Sequence, residues 1–528
     1  MMKILISDKL AEEGIAILKE VKEFEVVCQY GLKPEELKKI IGDFDALIIR
    51  SGTTVTADIL EACKKLKVIG RAGVGLDNVD LKAATKRGIV AMNTPAGNTT
   101  STAEHTMSMI LALSRNIPQA YMSMKSGKWD RNKFNGVELH GKILGIIGLG
   151  RIGSTVARMA QGFGMNIKAY DPYLSREVAA QKGIDLVELD EIYKSADYIT
   201  IHIPMSDETK GMIADKQFAL LKKTVRLVNC ARGGIIDERS LAKALEEKRI
   251  AGCALDVFEE EPLPADSPLL KFDNVVVTPH LGASTSEAQV NVAIEIAHAV
   301  KDALLGKGIR NAANFPSLSE EAFKAIEPYM DLAERMGKCL SQLVQGRLQE
   351  LTITYSGAVT AQKVAPVTMA LAKGLLAPAF GDSVNSINAL DMAKERGINI
   401  QEIVSNKEVE YVNRINAEIK TDKEKFAMWG TLSSNNQPRI VKINSVYVEA
   451  IPDGHMLFIN NNDKPGIVGA VGTVLAEENI NIAGITFGRE KQGGLAVSIV
   501  NVDSQIPEGV IEKLKQTKNI LLVKTVKI

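Results

Sequence analysis

The sequence predicts an α/β protein of several domains, and three observations carry that prediction. The chain has 528 residues, enough for roughly three or four domains of ordinary size. Up to about Asn314, short apolar runs alternate with helical segments, which is typical of parallel strands joined by helices. From about Asp453 onward the order is instead βαββαβ. We therefore expect two doubly wound parallel sheets, a mixed α/β module and a ferredoxin-like unit.

Composition excludes several classes of function. Lys plus Arg (64) balances Asp plus Glu (64), so the chain lacks the basic excess that phosphate-backbone binders need, and we expect no nucleic acid partner. No run approaches the ~20 apolar residues of a membrane span, and the N-terminus does not read as a signal peptide. The five cysteines are scattered without a CxxC pair. We therefore expect no membrane partner, no metal site and a cytoplasmic location.

Two α/β series are predicted before Asn314, and a long helix from Ser101 to about Arg115 separates them. Strands of the first series are expected at Lys3–Ser7, Glu25–Gln29, Ala46–Arg50, Val68–Ala72 and Ile89–Asn93. Strands of the second series are expected at Ile143–Gly148, Ile167–Asp171, Tyr198–Ile203, Arg226–Cys230, Cys253–Val257 and Val275–His280. Their nearly continuous apolar character suits strands covered on both faces. Two consecutive doubly wound units imply a cleft between them.

The remaining chain divides into a module with longer helical stretches and fewer strands, up to about Pro452, and the βαββαβ unit. The elements expected in that unit are strand Met456–Asn461, helix Gly466–Glu478, strand Ile480–Arg489, strand Leu495–Asp503, helix Glu508–Gln516 and strand Ile520–Ile528. This order predicts the ferredoxin-like split βαβ fold.

A glycine-rich segment predicts a dinucleotide site. Gly148, Gly150 and Gly153 form a GxGxxG directly after the apolar strand Ile143–Ile147 and at the start of a helical run. Gly148 permits a tight turn, Gly150 lets the backbone approach a pyrophosphate, and Gly153 packs helix on strand. The helix N-terminus then faces the phosphates. Asp171 closes the next strand, where a carboxylate binds the ribose 2′-hydroxyl and repels a 2′-phosphate, so NAD is favoured over NADP.

Three residues of the second series have the chemistry that oxidation of a hydroxy acid requires. His280 ends a predicted strand, and histidine is the side chain best suited to take a hydroxyl proton near neutral pH. Arg232 also follows an apolar strand, and its planar guanidinium pairs with a carboxylate. Glu261 could tune the histidine. Each position taken alone is equally compatible with a structural role, but three such positions in one domain favour an active site.

These segments resemble a known enzyme family. The fingerprint, Asn-Cys-Ala-Arg-Gly-Gly (229–234), the Glu-Glu-Pro turn (260–262) and Pro-His-Leu-Gly-Ala-Ser-Thr (279–285) are similar to those of the D-isomer-specific 2-hydroxyacid dehydrogenases. The segment from Arg71 to Asp80 and the long C-terminal extension resemble the family's long-form members that act on 3-phosphoglycerate. The resemblance implies flavodoxin-like and Rossmann domains, His280 as acid/base, Glu261 as its partner and Arg232 as carboxylate clamp.

Further site residues are implied by the resemblance. Contacts to NAD beyond the fingerprint and Asp171 fall on Val74 through its backbone, Arg151, Ile152, Ile203, Cys230, Ala231, Arg232, Asp256, His280, Leu281, Gly282 and Ala283. Contacts to substrate fall on Arg50, Ser51, Gly73, Asn98 and Arg131. A phosphorylated substrate needs positive charge, which Arg50 and Arg131 supply, although each could equally be a solvated surface cation.

The βαββαβ unit resembles an ACT domain, whose paired copies bind amino acids. Asp463 joins the first strand to its helix and Asn481 lies just beyond that helix; the resemblance makes both effector contacts for L-serine. An Asx turn with a helix cap is the alternative for this segment. Pairing of such units implies a homo-oligomer, which we expect to be a tetramer.

The sequence thus predicts four domains and one leading function. The expected limits are 1–97 with 284–313 for the substrate domain, 98–283 for the NAD domain, 314–452 for an intervening regulatory domain and 453–528 for the ACT domain. The expected function is NAD-dependent oxidation of 3-phospho-D-glycerate to 3-phosphohydroxypyruvate, the first step of L-serine biosynthesis, under feedback by L-serine. The alternatives are a dehydrogenase for glycerate, lactate or another D-2-hydroxy acid, and an amino-acid sensor on an inactive dehydrogenase scaffold.

Overall fold

The computed structural model describes residues 1–405 and 410–528, and this part of the chain holds four β-sheets. The chain divides into two compact units. Unit 1 comprises Met1–Lys9, Ile15–Asn93 and Ile296–Ile528, and unit 2 comprises Leu10–Gly14 and Thr94–Glu295. The predicted α/β fold class is confirmed.

The first sheet of unit 1 is parallel, with strand order β2-β1-β3-β4-β5, the flavodoxin-like order. Its strands are β1 Met2–Ile6, β2 Phe24–Cys28, β3 Ala46–Ile49, β4 Val68–Arg71 and β5 Val90–Met92, and the associated helices are α1 Glu12–Lys19, α2 Pro34–Ile40, α3 Ala57–Ala62 and α4 Leu81–Lys86. Leu5, Leu47 and Ile69 on neighbouring strands are fully buried in the core. Since both faces are covered, the strands are apolar throughout, which is why the sequence located them to within one residue at each end.

The sheet of unit 2 is also parallel, with strand order β12-β11-β10-β9-β6-β7-β8. Its strands are β6 Ile143–Ile147, β7 Asn166–Tyr170, β8 Asp185–Leu186, β9 Tyr198–Ile201, β10 Arg226–Asn229, β11 Gly252–Leu255 and β12 Val275–Val277. The helices are α5 Thr99–Arg115, α6 Ile117–Lys125, α7 Arg151–Gly162, α8 Arg176–Gln181, α9 Leu189–Ser195, α10 Asp215–Leu220 and α11 Glu238–Glu246. The order reverses between β6 and β9, so ligands are expected beyond the carboxyl ends of these strands.

Strand β12 is shorter than the sequence predicts. The expected strand Val275–His280 ends at Val277. Pro279 has no N–H to give to a sheet, and His280 has a left-handed backbone with φ of 54°. Thr278 to His280 therefore form a loop at the carboxyl edge of the sheet, where His280 becomes accessible.

The third sheet, in unit 1, has six strands in the order β14-β13-β15-β16-β17-β18. Its strands are β13 Leu348–Gly357, β14 Asn399–Ser405, β15 Asn413–Thr421, β16 Lys425–Leu432, β17 Pro438–Ile443 and β18 Val446–Ala450. Helix α12 Ser286–Leu304 precedes this region, and α13 Glu320–Leu343, α14 Ala365–Phe380 and α15 Ala389–Glu395 belong to it. The expectation of few strands was wrong. Residues of β15 alternate between buried and solvent-facing positions, so its sequence is polar on average and conceals the strand.

The fourth sheet, also in unit 1, has the order β20-β21-β19-β22, and each pair of neighbouring strands is antiparallel. Its elements are β19 His455–Asn462, α16 Ile467–Glu477, β20 Ile482–Arg489, β21 Leu495–Val502, α17 Glu508–Lys515 and β22 Ile520–Lys527. The predicted βαββαβ order is confirmed. Within unit 1 this sheet contacts the preceding module, since Thr486 Oγ1 donates to the carbonyl of Glu449 and Gln342 Nε2 donates to the carbonyl of Lys527.

Across residues 1–405 and 410–528, no helix has the length and apolar character needed to cross a membrane. The same residues contain no group of three or more His, Cys, Asp or Glu side chains that could hold a metal ion.

Candidate active site

The fingerprint glycines have the geometry that a dinucleotide loop requires. Gly148 has φ of 96°, and a Cβ there would lie 2.6 Å from the carbonyl oxygen of His202. A Cβ at Gly153 would collide with the carbonyl oxygen of Gly148, whereas one at Gly150 would meet open space. Helix α7 begins at Arg151, the residue directly after Gly150. The loop therefore fits a pyrophosphate, with the backbone accessible at Gly150 and a helix N-terminus behind it.

Asp171 is fixed beside this loop. One carboxylate oxygen accepts a hydrogen bond from the N–H of Leu149 at 2.8 Å, and the other accepts from the N–H of Tyr173 at 2.9 Å. A carboxylate has about four lone-pair positions, so each oxygen can accept a further bond from a ribose hydroxyl. Asp171 thus links β7 to the glycine-rich loop and fits its predicted role toward NAD.

The loop that carries Arg232 is held by a residue that the sequence analysis missed. Asn229, the last residue of β10, is 2% exposed. Its Oδ1 accepts from the N–H of Ala231 at 3.0 Å, and its Nδ2 donates to the carbonyl of Arg232 at 2.8 Å. The signal for this role was a polar residue at the buried end of an apolar strand. Burial raises the pKa of the neighbouring Cys230 thiol to about 12, so this thiol is not a nucleophile near neutral pH.

His280 and Glu261 form a hydrogen-bonded pair. His280 Nδ1 lies 2.7 Å from Glu261 Oε2, and Glu261 Oε1 accepts from the N–H of Phe258 at 3.1 Å. Because an ionised carboxylate only accepts hydrogen bonds, Nδ1 carries the proton and Nε2 is the nitrogen that can accept one. Both side chains line a cavity of about 540 Å³ whose other walls include Pro262 and Val277. The pair therefore combines an oriented base with room for a ligand.

The backbone after His280 is anchored by Asp256. This side chain is 1% exposed, and its oxygens accept from the N–H groups of Leu281 at 2.7 Å and Gly282 at 2.8 Å. Burial alone would raise the pKa of Asp256, but hydrogen bonds from His105, Thr278 and Leu281 outweigh burial and lower it. The contact of Asp256 with NAD stays a prediction, and the structure gives this residue a second, anchoring role.

A second histidine at the same sheet edge does not share the properties of His280. His202 follows β9 rather than lying within it, and its Nε2 is 3.0 Å from Thr200 Oγ1. Burial lowers the pKa of His202 to about 3. His202 therefore stays neutral at physiological pH and cannot hold the proton that an oxidised hydroxyl releases. The neighbouring Ile203, predicted to contact NAD, is half-buried.

In unit 1, three predicted substrate residues lie after two neighbouring strands, together with Val74, which was predicted to contact NAD. Arg50 and Ser51 follow β3, and Gly73 and Val74 follow β4. The N–H of Arg50 donates to Asp8 Oδ2 at 2.6 Å, so this loop is fixed by a residue that follows β1. The resemblance predicted Arg50, whereas its partner Asp8 was missed because the contact joins distant parts of the chain.

Two loops around these residues have further contacts. Asn78 Nδ2 donates to the carbonyl of Arg50 at 2.7 Å, and Asn93 Nδ2 donates to the carbonyl of Val74. In unit 2, Asn98 precedes α5, and within the described part of the chain its buried Oδ1 has no hydrogen-bond partner. Arg131 begins an exposed turn of 3₁₀ helix. The substrate roles of these residues stay predictions.

The two predicted effector residues lie far apart within the fourth sheet. Asp463 follows β19 and accepts from the N–H of Gly493 at 2.9 Å and from Arg489 Nη1 at 3.1 Å, and these contacts lower its pKa. Asn481 precedes β20, and its Nδ2 donates to Asp503 Oδ2 at 2.7 Å. The eight residues of β20 separate the two positions by about 25 Å.

Three family models match the chain. The D-isomer specific 2-hydroxyacid dehydrogenase NAD binding domain matches residues 107–282, the D-3-phosphoglycerate dehydrogenase intervening domain matches residues 325–444, and the ACT domain matches residues 455–519. Each range lies inside the corresponding predicted domain, whose limits stay predictions. The predicted cofactor, NAD, and the ACT domain are confirmed.

Relatives extend this similarity over the whole chain. The chain is 46% identical to D-3-phosphoglycerate dehydrogenase of Methanocaldococcus jannaschii, over 98% of both chains, and 41% identical to D-3-phosphoglycerate dehydrogenase of Bacillus subtilis, over 100% of this chain and 99% of that one. Among solved structures, D-lactate dehydrogenase from Aquifex aeolicus complexed with NAD and lactic acid is 30% identical, with a TM-score of 0.52 over 60% of this chain and 100% of that one. The chain therefore belongs to the D-3-phosphoglycerate dehydrogenases, within the D-isomer specific 2-hydroxyacid dehydrogenase family.

Proposed function

We propose that the protein uses NAD to oxidise 3-phospho-D-glycerate to 3-phosphohydroxypyruvate, the first reaction of L-serine biosynthesis. The observation that carries the proposal is the His280–Glu261 pair, 2.7 Å apart at the carboxyl edge of the sheet that also holds the dinucleotide fingerprint. Similarity over the full chain to enzymes named for 3-phosphoglycerate supports the choice of substrate.

The chemistry removes two hydrogens from the substrate, a proton from the hydroxyl oxygen on C2 and a hydride from C2 itself. His280 Nε2 takes the proton of the C2 hydroxyl, and the resulting imidazolium is stabilised by the carboxylate of Glu261 on the opposite nitrogen. When bound, NAD supplies the acceptor for the hydride that leaves C2. The hydroxyl becomes a ketone, and the proton held by His280 is later released to solvent.

Arg232 is assigned to the substrate carboxylate. Its loop is fixed by Asn229, and Arg232 Nη1 donates to the carbonyl of Ala231 at 2.7 Å. Binding of a carboxylate would exchange this neutral acceptor for a charged one, which forms shorter and stronger hydrogen bonds with a guanidinium. Two-point pairing would fix the orientation of C2 relative to His280.

The substrate phosphate is assigned to Arg50 and Ser51, with Gly73, Asn98 and Arg131 as additional contacts. Arg50 supplies a charge on a loop that Asp8 and Asn78 hold in place. A fixed loop binds an anion at lower entropic cost than a mobile one. An unphosphorylated hydroxy acid would leave this charge unpaired.

L-serine is assigned to the ACT domain as an inhibitor. Asp463 can take an ammonium group and Asn481 can take a carboxylate or hydroxyl, but β20 separates them. One small amino acid cannot reach both residues in one chain, so the effector site should combine Asp463 of one copy with Asn481 of another.

A homo-oligomer is also supported by the surface of unit 2. Helix α6 has no buried residue, and large apolar side chains are exposed on it and after it, among them Ile117 at 56%, Tyr121 at 60%, Met122 at 64%, Met124 at 54% and Trp129 at 79%. Such a patch is typical of an interaction surface. With ACT pairing as a second contact, we propose a tetramer.

The test is the rate of NADH formation with 3-phosphoglycerate, D-glycerate and D-lactate, each with and without L-serine. We expect kcat/KM for 3-phosphoglycerate to exceed the other two by about 100-fold or more, because loss of charged hydrogen bonds to the phosphate has an effect of that order. Equal or greater efficiency with an unphosphorylated acid would identify a different dehydrogenase. No turnover with any of the three would support a sensor on an inactive scaffold.

A further inference from the structure

Helix α5 presents two polar side chains to the loop that follows His280 and a third to Asp256. Ser101 Oγ donates to the carbonyl of Gly282 at 2.8 Å, and Thr102 Oγ1 donates to the same carbonyl at 3.1 Å. One turn later, His105 Nε2 lies 3.1 Å from Asp256 Oδ1. Residues at these spacings share one face of a helix. The face of α5 therefore contacts both the loop and the carboxylate that anchors it.

Asp256 is the centre of this arrangement. Its Oδ1 accepts from Thr278 Oγ1 at 2.6 Å and from the N–H of Leu281 at 2.7 Å, in addition to His105, while its Oδ2 accepts from the N–H of Gly282 at 2.8 Å. A carboxylate that is 1% exposed needs such partners, because burial of an unpaired charge is very costly. Its orientation is thus set by these four donors together.

The proton positions follow from the donors available. Thr278 has one hydroxyl proton, and the 2.6 Å contact with a carboxylate assigns that proton to Asp256. His105 Nε2 lies 3.2 Å from Thr278 Oγ1 and 3.1 Å from Asp256 Oδ1, and both atoms can only accept from it. Nε2 of His105 therefore carries a proton and donates it to this pair of oxygens.

These hydrogen bonds hold the backbone directly after the candidate acid/base, His280. The N–H groups of Leu281 and Gly282 belong to the two residues directly after His280, whose φ of 54° is uncommon for a residue other than glycine. Such a backbone persists only when its surroundings fix it. Asp256 fixes the backbone after His280, while Glu261 holds its imidazole at 2.7 Å.

We propose that His105 is a positioning residue for the acid/base: its Nε2–H holds the Asp256 carboxylate in the orientation that binds the Leu281 and Gly282 N–H groups and thereby aims His280. The inference rests on the proposed function in so far as His280 is the acid/base. It concerns a histidine to which the sequence analysis assigned no role in the site.

The test compares His105→Phe, which keeps a planar ring without the donor, with His105→Gln, whose amide can donate from a similar distance. His298→Phe makes the same change on α12 and is the matched control. For His105→Phe we expect kcat with 3-phosphoglycerate to fall about 10–100-fold, because sub-ångström to ångström misplacement of a reacting group has effects of that size. His105→Gln should restore kcat to within about threefold of wild type.

A second measurement is independent of turnover. The imidazole NMR resonance of His280, assigned by its loss in His280→Asn, should shift or broaden in His105→Phe and return in His105→Gln. Wild-type kcat together with an unmoved His280 resonance in His105→Phe would overturn the inference. If His105→Phe does not fold, His105→Asn replaces it: its amide is too short to reach Asp256, and an unchanged kcat and resonance there would likewise overturn the inference.

The two proposals fail separately in this experiment. If wild-type protein does not oxidise 3-phosphoglycerate, the proposed function fails, while the His280 resonance still decides whether His105 positions that side chain. If the wild type is active and substitution of His105 changes neither kcat nor the His280 resonance, the positioning role alone fails.

Discussion

The candidate catalytic residues and the candidate effector residues are placed in contrasting ways by their sheets. In unit 2, all seven strands are parallel, so the segments after β6, β7, β10, β11 and β12 emerge at one edge, and His280 and Glu261 meet at 2.7 Å. In the ACT sheet, β19 and β20 both run antiparallel to β21. The two strands therefore run in the same direction. Asp463 follows the end of β19 and Asn481 precedes the start of β20, so the two residues lie at opposite ends of the strands. A parallel sheet gathers candidate site residues within one chain, whereas the effector site that we propose on this antiparallel sheet would require a second copy.

The largest effect on turnover is expected from substitution of the candidate acid/base, His280. His280→Ala removes the group that takes the hydroxyl proton and should lower kcat about 10²–10⁴-fold, because no other side chain holds that position. The dissociation constant for NAD, measured by quenching of protein fluorescence, should change little. A loss of kcat under threefold would remove His280 from the mechanism.

A smaller effect is expected when the carboxylate clamp keeps its charge but loses its shape. Arg232→Lys should raise KM and lower kcat/KM by about 10–100-fold, because an ammonium cannot pair with a carboxylate at two points. Steady-state kinetics with 3-phosphoglycerate measure both constants. Unchanged kcat/KM would place the carboxylate elsewhere.

The preference for NAD over NADP tests Asp171, which follows β7 in the same sheet. Asp171→Ala should weaken NAD binding about tenfold and NADP binding less, since only NAD offers the ribose 2′-hydroxyl to this carboxylate. Competition titrations with both nucleotides give the ratio of dissociation constants. Equal catalytic efficiency of the wild-type protein with NAD and NADP would contradict the role of Asp171.

The smallest effect on turnover is expected from the ACT domain. Asp463→Ala combined with Asn481→Ala should leave kcat within about twofold of wild type while removing inhibition by L-serine, because coupling between separate sites alters one ligand's effect without changing the chemistry. Inhibition curves with increasing L-serine measure the loss. If the same L-serine concentrations inhibited the double variant and the wild type, or if L-serine competed with 3-phosphoglycerate, the effector site would have to lie elsewhere.

The contrast also separates what the sequence could predict from what it could not. The apolar parallel strands of the first sheet were located to within one residue, and the predicted strand ends of unit 2 made Arg232 and His280 candidates. The support of His280 was missed, since the contact between His105 and Asp256 joins positions about 150 residues apart and leaves no local pattern. The support of Arg232 was missed although Asn229, a polar residue at the end of an apolar strand, was a local signal.

Antiparallel regions were harder in two respects. Strand β15 was missed because its two faces differ in polarity. The order of the βαββαβ unit was predicted correctly. A split βαβ unit already implies that the end of β19 and the start of β20 lie at opposite ends of the sheet, but this consequence for Asp463 and Asn481 was not drawn.

The most direct measurement of the central contrast is complementation in mixed oligomers. Chains carrying Asp463→Ala are co-assembled with chains carrying Asn481→Ala, and separately chains carrying His280→Ala with chains carrying Arg232→Ala. Each variant alone should lack the function in question. We predict that the first mixture regains L-serine binding by calorimetry, because one of the two sites at each mixed interface is intact, and that the second mixture regains no turnover, because His280 and Arg232 serve within one chain. Absence of L-serine binding in the first mixture, although wild-type protein binds it, or recovery of turnover in the second, would contradict this account.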